Sequence, residues 1–110
     1  MKILVITGSP HKTGTSALLA EQFIKGAAEA GHKVCRFDAA FKNVHPCIAC
    51  ERCHNTDKGC TFKDDMEELN PQLLEADAVI FVSPIYYYGM TAQIKAVIDR
   101  FYANDEALHG

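Results

Sequence analysis

Several features are missing from this sequence, and each absence excludes a class of function. Lysine and arginine number 11 against 14 aspartates and glutamates, which leaves a net charge of −3. That balance argues against a nucleic-acid partner, because neutralising phosphates requires a basic face. The longest apolar stretch, 78–90, is interrupted by Ser83, Pro84 and Gly89, so it cannot span a bilayer. We therefore expect neither a nucleic-acid nor a membrane partner.

We also expect neither a targeting segment nor an internal division in this sequence. Only four apolar residues, Ile3 to Ile6, follow Met1 and Lys2, too few for a signal-peptide core. The sequence has no repeat, low-complexity tract or interdomain linker, and its 110 residues predict one domain spanning 1–110. We expect a cytoplasmic protein, in which clustered cysteines indicate metal binding or redox chemistry rather than structural disulfides.

Alternating apolar patterns predict an α/β fold. Continuous or alternating apolar runs predict strands at 2–7, 32–38 and 77–84. Helical spacing predicts a helix over 15–30, a second helix capped by Asp64 with Glu67 completing a capping box, and a third beginning at Thr91. Asn70-Pro71 predicts a break and restart within the second helix. The order β-α-β-loop-α-β-α implies a parallel sheet with helices on both faces.

The loop GSPHKTGTS, residues 8–16, joins the first strand to the first helix and carries hydroxyl groups. It matches neither the GxGxxG nor the GxxxxGK[ST] pattern. Free N–H groups at a helix N-terminus, with the positive end of the helix dipole, favour an anion there. The loop suits one phosphate better than a diphosphate. The residues that would supply hydroxyl groups or charge are Ser9, His11, Lys12, Thr13, Thr15 and Ser16.

The loop SPIYYYGM, residues 83–90, follows the third strand and contains three consecutive tyrosines. Adjacent side chains point in different directions, so we expect at least one tyrosine on the surface or lining a pocket, and at least one packed against the following helix. Tyrosine offers a flat face for stacking and a hydroxyl for hydrogen bonding.

These loops, together with CTFKDDM and EADAVIFVSPIYYYGMTAQIKAVIDRF, resemble the flavodoxin-like NADPH-dependent FMN reductase family from residue 1 to about residue 102. The resemblance implies a three-layer sandwich with strand order 2-1-3 and a bound FMN. Its phosphate would be held by Ser9, His11, Thr13, Thr15 and Ser16. Its ring would be lined by Pro84, Ile85, Tyr86, Tyr87, Tyr88 and Gly89, with Tyr86 and Tyr87 the foremost candidates.

The stretch PCIACERCHNTDKGC, residues 46–60, places four cysteines in a C-x2-C-x2-C-x6-C pattern within a predicted loop over 39–63. Four thiolates so spaced can surround a 4Fe–4S cluster, and the spacing resembles the iron–sulfur flavoprotein branch of the family. Zinc, free thiols or a disulfide are the alternatives. The metal-ligand candidates are Cys47, Cys50, Cys53 and Cys60.

The family usually continues with two further strands and a helix that this sequence does not contain. Without them the third strand would be a bare apolar edge, so we expect either a C-terminally short, truncated version of the family or a partner chain that covers the edge, and the second resolution predicts a homo-oligomer. The resemblance implies an FMN-dependent oxidoreductase that takes electrons from NAD(P)H and passes them to a small acceptor or to the cluster. The alternatives are a non-enzymatic flavin and iron–sulfur electron carrier, or a zinc-stapled interaction module. No side chain is an evident acid, base or nucleophile.

Overall fold

A computed structural model describes residues 1–55 and 60–109 of the chain. Three strands form one parallel sheet in the order β2-β1-β3. Two 3₁₀ segments, 39–41 and 100–104, lie between the regular elements. In chain order the strands are β1 (Lys2–Thr7), β2 (Lys33–Asp38) and β3 (Ala78–Val82), and the helices are α1 (Thr15–Glu29), α2 (Arg52–Asn55), α3 (Met66–Glu75), α4 (Ala92–Asp99) and α5 (Asp105–His109).

Strand β1 is the centre of the sheet and is buried from Ile3 to Thr7. Its alternate side chains enter two separate apolar clusters, as the two-residue period of a strand requires. Ile3 and Val5 pack with Ala20 of α1 and with Val82. On the other face Leu4 and Ile6 pack with residues of α3 and α4, namely Met66, Leu69, Leu73, Ile94 and Val97. The expected flavodoxin-like three-layer sandwich with order 2-1-3 is thus confirmed.

Helix α3 corrects the prediction of a break at Asn70-Pro71. The helix runs without interruption from Met66 to Glu75 with Pro71 inside it. An interior proline costs about 3 kcal/mol because it removes one hydrogen bond and crowds the preceding turn. Leu69 and Leu73 lie on either side of the proline in sequence, and both are buried in the same apolar cluster. That burial offsets the cost only if the helix continues.

The boundaries of α3 and the predicted loop also differ in detail. The helix begins at Met66, and Asp65 occupies the cap position instead of the predicted Asp64, whose Oδ1 accepts from Met66 N at 3.1 Å. Glu67 pairs with Lys63 at 3.8 Å instead of completing a capping box. The span 39–63, predicted to be a loop, contains the 3₁₀ segment 39–41 and the short helix α2. Residues 56–59 of that span lie outside the described residues.

Strand β3 is paired on one side only among the described residues. Phe81 on this strand is 44% exposed and contacts Phe101 with ring centroids 6.3 Å apart. The described part of the chain contains no helix with the length and apolar character needed to cross a membrane.

The contact of Gly8 with α4 gives the first prediction. A Cβ at Gly8 would lie 2.5 Å from Ile94 Cδ1 and closer still to Thr91 Oγ1. Gly8→Ala should therefore lower the free energy of unfolding by about 1–3 kcal/mol, because overpacking forces backbone shifts. Gly26→Ala is the matched control: Gly26 lies inside α1 with no atom within 4 Å of the added Cβ, so it should gain up to about 1 kcal/mol. Urea unfolding of both variants measures the difference, and equal effects would contradict the close packing at Gly8.

Candidate functional site

The hydroxyl-bearing loop and the tyrosine-bearing loop begin side by side at one edge of the sheet. Thr7 at the end of β1 is paired with Val82 at the end of β3, and Gly8 N donates to Val82 O at 2.9 Å. At the other end of the second loop, Thr91 N donates to Ser83 Oγ at 3.1 Å. This is the carboxyl edge of neighbouring parallel strands, where open α/β sheets bind ligands.

The hydroxyl-bearing loop leaves the N-terminus of α1 without a side-chain cap. Gly14 occupies the cap position and has no side chain to accept from the first turn, which also lacks an acidic residue. Ser9 is buried, and its Oγ accepts from His11 N at 3.1 Å, which folds the loop back on itself. Thr13 and Thr15 are exposed and Ser16 is half-buried. The positive end of α1 is therefore open to an anion.

Two cavities flank this loop. One of about 310 Å³ is bounded by Thr7, Ser9, His11, Lys12, Ala17, Arg36, Asp38 and Phe41. The other, of about 330 Å³, is bounded by Lys12, Thr13, Gly14, Thr15, Ala17, Leu18 and Glu21. Both reach the lower range of small-ligand pockets. Four of the five predicted phosphate ligands border one cavity or the other; Ser16 and the tyrosine-bearing loop border neither.

Asp38 is a charged member of the first cavity that the sequence did not single out. It accepts from Thr7 Oγ1 at 2.6 Å and from Arg36 Nε at 2.8 Å. Burial alone would raise the pKa of Asp38, but these hydrogen bonds and the charges of Arg36 and Lys42 hold it below its ordinary value. Asp38 is thus an anion that keeps the adjacent Arg36 occupied.

The tyrosine-bearing loop contains a tight turn in which two tyrosines adopt left-handed backbone angles. Tyr86 N donates to Gly89 O at 2.8 Å and Gly89 N donates back to Tyr86 O at 3.0 Å. Between them Tyr87 has φ 44° and Tyr88 has φ 68°, angles that normally favour Asn-Gly. Both tyrosines are 96% exposed, and Tyr86 and Ile85 are also exposed. The expectation of a surface tyrosine is confirmed.

The cysteine loop also contains unusual backbone angles. Ala49 has φ 57° and Glu51 has φ 60°, on either side of Cys50. Residues with left-handed backbone angles can point successive N–H groups of a loop towards one centre. Such N–H groups form the concave anion sites found around phosphates and iron–sulfur clusters. Ala49 N already donates to Cys47 Sγ at 3.4 Å.

The predicted metal ligands are free thiols, two exposed (Cys47 and Cys50) and two half-buried (Cys53 and Cys60). Burial raises the pKa of the Cys53 thiol, and the neighbouring charges of Cys60, Cys50 and Cys47 raise it further. In residues 1–55 and 60–109, however, no three histidine, cysteine, aspartate or glutamate side chains are placed to share a single metal ion.

A buried ion pair closes the base of the cysteine loop. Arg100 is 3% exposed, and its guanidinium donates to both carboxylate oxygens of Asp64, at 2.7 and 3.2 Å. It also donates to His45 O at 2.8 Å and to Phe62 O at 3.3 Å, and the His45 and Phe62 rings stack 3.8 Å apart. The two ends of the loop are thus held together by one side chain from the end of α4.

Tyr102 attaches the cysteine loop at a second point. Its hydroxyl donates to Glu51 Oε1 at 3.1 Å, and the pKa of Tyr102 is raised because the Glu51 carboxylate accepts this proton. His54 Nε2 donates to Tyr102 O at 2.8 Å, with the two rings 4.3 Å apart. His45 and His54 are exposed, and both take part in anchoring the loop. No local pattern in the sequence marks Arg100, Asp64 or Tyr102 as anchors.

Comparison with known proteins agrees with this architecture. A flavodoxin-like NAD(P)H:quinone oxidoreductase from Methanothermobacter marburgensis superposes with a TM-score of 0.75 at 24% identity, over 93% of this chain and 53% of that one. The model of the NADPH-dependent FMN reductase family matches residues 1–110. The chain belongs to that family.

Two curated relatives are named iron–sulfur flavoproteins. One, from Methanocaldococcus jannaschii, is 37% identical over 100 residues, which cover 91% of this chain and 51% of that protein. Another, from Archaeoglobus fulgidus, is 39% identical over 101 residues, which cover 91% of this chain and 45% of that protein. The chain therefore spans about half the length of the curated relatives that it matches.

The backbone of the tyrosine turn gives the second prediction. Replacing Tyr87 by Asn and Tyr88 by Gly should raise the free energy of unfolding by about 1–2 kcal/mol, because left-handed tyrosines are strained. The control replaces both tyrosines by alanine, which removes the rings and keeps the strain. Chemical denaturation compares the two double variants. If the Asn-Gly variant is no more stable than the Ala-Ala variant, the turn is not strained.

Asp64 gives a prediction on acid stability. Burial would raise the pKa of Asp64, but the hydrogen bonds from Arg100, His45 and Met66 hold it below the ordinary value of 3.8. The stability that its ionised form contributes is complete above that value and is lost as the pH falls through the lowered one. Asp64→Asn should therefore be less stable near pH 7 and lose less stability on acidification. Urea unfolding as a function of pH measures both slopes, and parallel profiles would contradict this account.

Proposed function

We propose that this chain forms the FMN-binding part of an NAD(P)H-dependent oxidoreductase that passes electrons to a small acceptor. One observation carries the proposal: the loop over 8–16 and the loop over 83–90 leave neighbouring parallel strands, and Gly8 of the first loop contacts Val82 and Thr91, the residues on either side of the second. Family membership supports it, as do the names of relatives that include NAD(P)H-dependent FMN-containing and quinone oxidoreductases.

The phosphate of FMN would bind at the open N-terminus of α1. The N–H groups of its first turn have no side-chain cap, and no carboxylate in that turn would repel a dianion. The hydroxyl groups of Ser9, Thr13, Thr15 and Ser16 would donate to the phosphate oxygens, and His11 would add a donor at the rim. Hydrogen bonds to a charged group contribute about 1.5–3 kcal/mol each, so a few of them suffice to select FMN over riboflavin.

The isoalloxazine ring would lie against the turn formed by Pro84, Ile85, Tyr86, Tyr87, Tyr88 and Gly89. Two strained backbone conformations and two nearly fully exposed rings destabilise the free protein, and such strain is characteristic of ligand-binding segments. The exposed aromatic faces offer stacking surfaces, and the backbone near Gly89 permits close approach. When bound, the flavin would supply the exchange of electrons between a nicotinamide and the acceptor, and the chain would fix its orientation.

We further propose that Cys47, Cys50, Cys53 and Cys60 hold a 4Fe–4S cluster. Four free thiols on one loop, with left-handed backbone angles at Ala49 and Glu51 on either side of Cys50, fit such an anionic group. A cluster interposes iron and sulfide between its thiolates, so it needs wider sulfur spacing than zinc. The lack of a single-ion arrangement in the described residues therefore disfavours zinc, not a cluster. This exposed second centre also favours an alternative function, that of an electron carrier without nicotinamide turnover.

Two further features belong to the proposal. A reducing compartment would keep the four thiols available to iron, so we propose a cytoplasmic location. The half-exposed Phe81 on the unpaired side of β3 favours association with a second copy, because bare apolar edges pair readily.

The test is flavin binding by anaerobically purified protein. FMN titration followed by fluorescence quenching should show saturable binding, and the loaded protein should oxidise NADPH in the presence of a quinone. Ser9→Ala should weaken FMN binding about tenfold or more and leave riboflavin binding unchanged, because riboflavin has no phosphate.

Protein that takes up no FMN would overturn the proposed function. If Ser9→Ala lowers the affinity for FMN and for riboflavin equally, Ser9 does not contact the phosphate. Flavin reduction by a protein donor without NADPH oxidation would favour the electron carrier.

A further inference from the structure

Arg100 carries a buried donor that the loop-closing contacts leave unused. The two terminal nitrogens of its guanidinium make four hydrogen bonds, to Asp64, His45 O and Phe62 O. The remaining nitrogen, Nε, is buried and has no hydrogen-bond partner among the described residues. A buried donor left unsatisfied costs about 1–3 kcal/mol, so its presence points to an acceptor that arrives with a ligand.

The position of Arg100 identifies the cysteine loop as the source of that acceptor. His45 lies two residues before Cys47 and Phe62 lies two residues after Cys60, so the guanidinium sits at the base of the loop. The hydrogen bonds to His45 O at 2.8 Å and to Phe62 O at 3.3 Å place the cation between the two segments of chain that lead to the first and last cysteines of the loop.

The chemistry of the ion pair also suggests more than a structural role. A buried ion pair is weak evidence for stability, since apolar side chains of the same size often stabilise as well or better. A cluster bound by four thiolates carries net negative charge, which increases on reduction. Positive charge and N–H donors near the ligand sulfurs therefore stabilise the reduced form. Arg100 brings both to the base of the cysteine loop, where its own side chain is shielded from water.

We propose that Arg100 is a positioning residue for the iron–sulfur centre: it closes the base of the cysteine loop and holds its positive charge and a buried, unpartnered Nε–H there, which favours the reduced cluster. This inference rests on the proposed function, in which the four cysteines of this loop hold the cluster. Asp64 has a double role in it, since its carboxylate both holds the guanidinium and offsets part of its charge.

Variants that change the local charge in opposite directions distinguish this role from a purely structural one, in which Arg100 only holds the loop closed. Arg100→Met removes the charge and Nε–H, so it should make the cluster harder to reduce. Asp64→Asn keeps an oxygen acceptor but removes the offsetting charge, so it should make the cluster easier to reduce. Arg100→Lys preserves the charge and loses the fork. If Arg100 only holds the loop closed, all three variants should bind less cluster. The reduction potential of the remaining cluster should then not follow the sign of the charge change.

The experiment is a potentiometric titration of anaerobically reconstituted protein, followed by electron paramagnetic resonance, with iron and sulfide quantified. Arg100→Met should shift the one-electron equilibrium towards the oxidised cluster by tenfold or more, equivalent to 59 mV. The equilibrium between oxidised and reduced cluster in Arg100→Lys should stay within about threefold of that in the unmodified protein. In Asp64→Asn the equilibrium should shift in the direction opposite to that in Arg100→Met. Lys95→Met, which removes an exposed positive charge from α4, is the matched control and should change nothing.

Unchanged potential in Arg100→Met, or shifts of the same sign in Arg100→Met and Asp64→Asn, would overturn the inference. If Arg100→Met does not fold, the direction of the Asp64→Asn shift and the retention of potential in Arg100→Lys decide it. Unmodified protein that binds FMN but assembles no cluster would overturn this inference and the cluster while leaving the proposed flavin function in place. Failure to bind FMN would instead overturn that function.

Discussion

Strand β1 is paired in parallel on both sides and buried on both faces, and the arrangement of the molecule depends on this constraint. Apolar side chains on both faces need helices on both sides of the sheet. Parallel pairing sends the connections after all three strands out at one edge. As a result the hydroxyl-bearing loop, the tyrosine-bearing loop and the start of the cysteine loop all follow the carboxyl ends of strands. The candidate sites share an edge because of this topology.

The cysteine loop, in contrast, is held mainly by polar contacts. Arg100 and Asp64 fix its base, and Tyr102 holds its middle through Glu51 and through the backbone contact of His54. Directional contacts of this kind specify one arrangement of the loop while contributing little net stability. They also leave Cys47 and Cys50 exposed, so the ends of the loop are fixed while these two sulfurs stay accessible.

The strands and the α/β class were predictable from the sequence because apolar runs such as Ile3 to Ile6 are a local signal of buried strands. The strand order 2-1-3 came from the family resemblance, since apolar runs do not specify which strands are neighbours. The uninterrupted α3 was not predictable, because the preference of Pro71 is local whereas the burial of Leu69 and Leu73 that overrides it is tertiary.

The candidate site was predictable only in part. Hydroxyl groups before a helix are a local signal, and so are four cysteines at short spacing. The left-handed angles of Tyr87 and Tyr88 have no such signal, since tyrosine does not favour them. Arg100 and Asp64 are 36 residues apart, and only the packing of α4 beside the start of α3 brings them together. The roles of the predicted phosphate, ring and metal ligands stay predictions.

Helix α4 joins the edge where the hydroxyl-bearing and tyrosine-bearing loops begin to the base of the cysteine loop. Its length sets the distance between these two regions. Thr91 at its beginning packs against Gly8, and Arg100 follows directly after its last residue. Eight residues at 1.5 Å each give a rod of about 12 Å. One inserted residue would lengthen the rod only slightly but would rotate Arg100 by about 100° away from Asp64. An insertion or deletion in α4 therefore changes the spacing and the orientation of the two regions together, one helical residue at a time. Smaller adjustments require substitution of the side chains at either end of the helix.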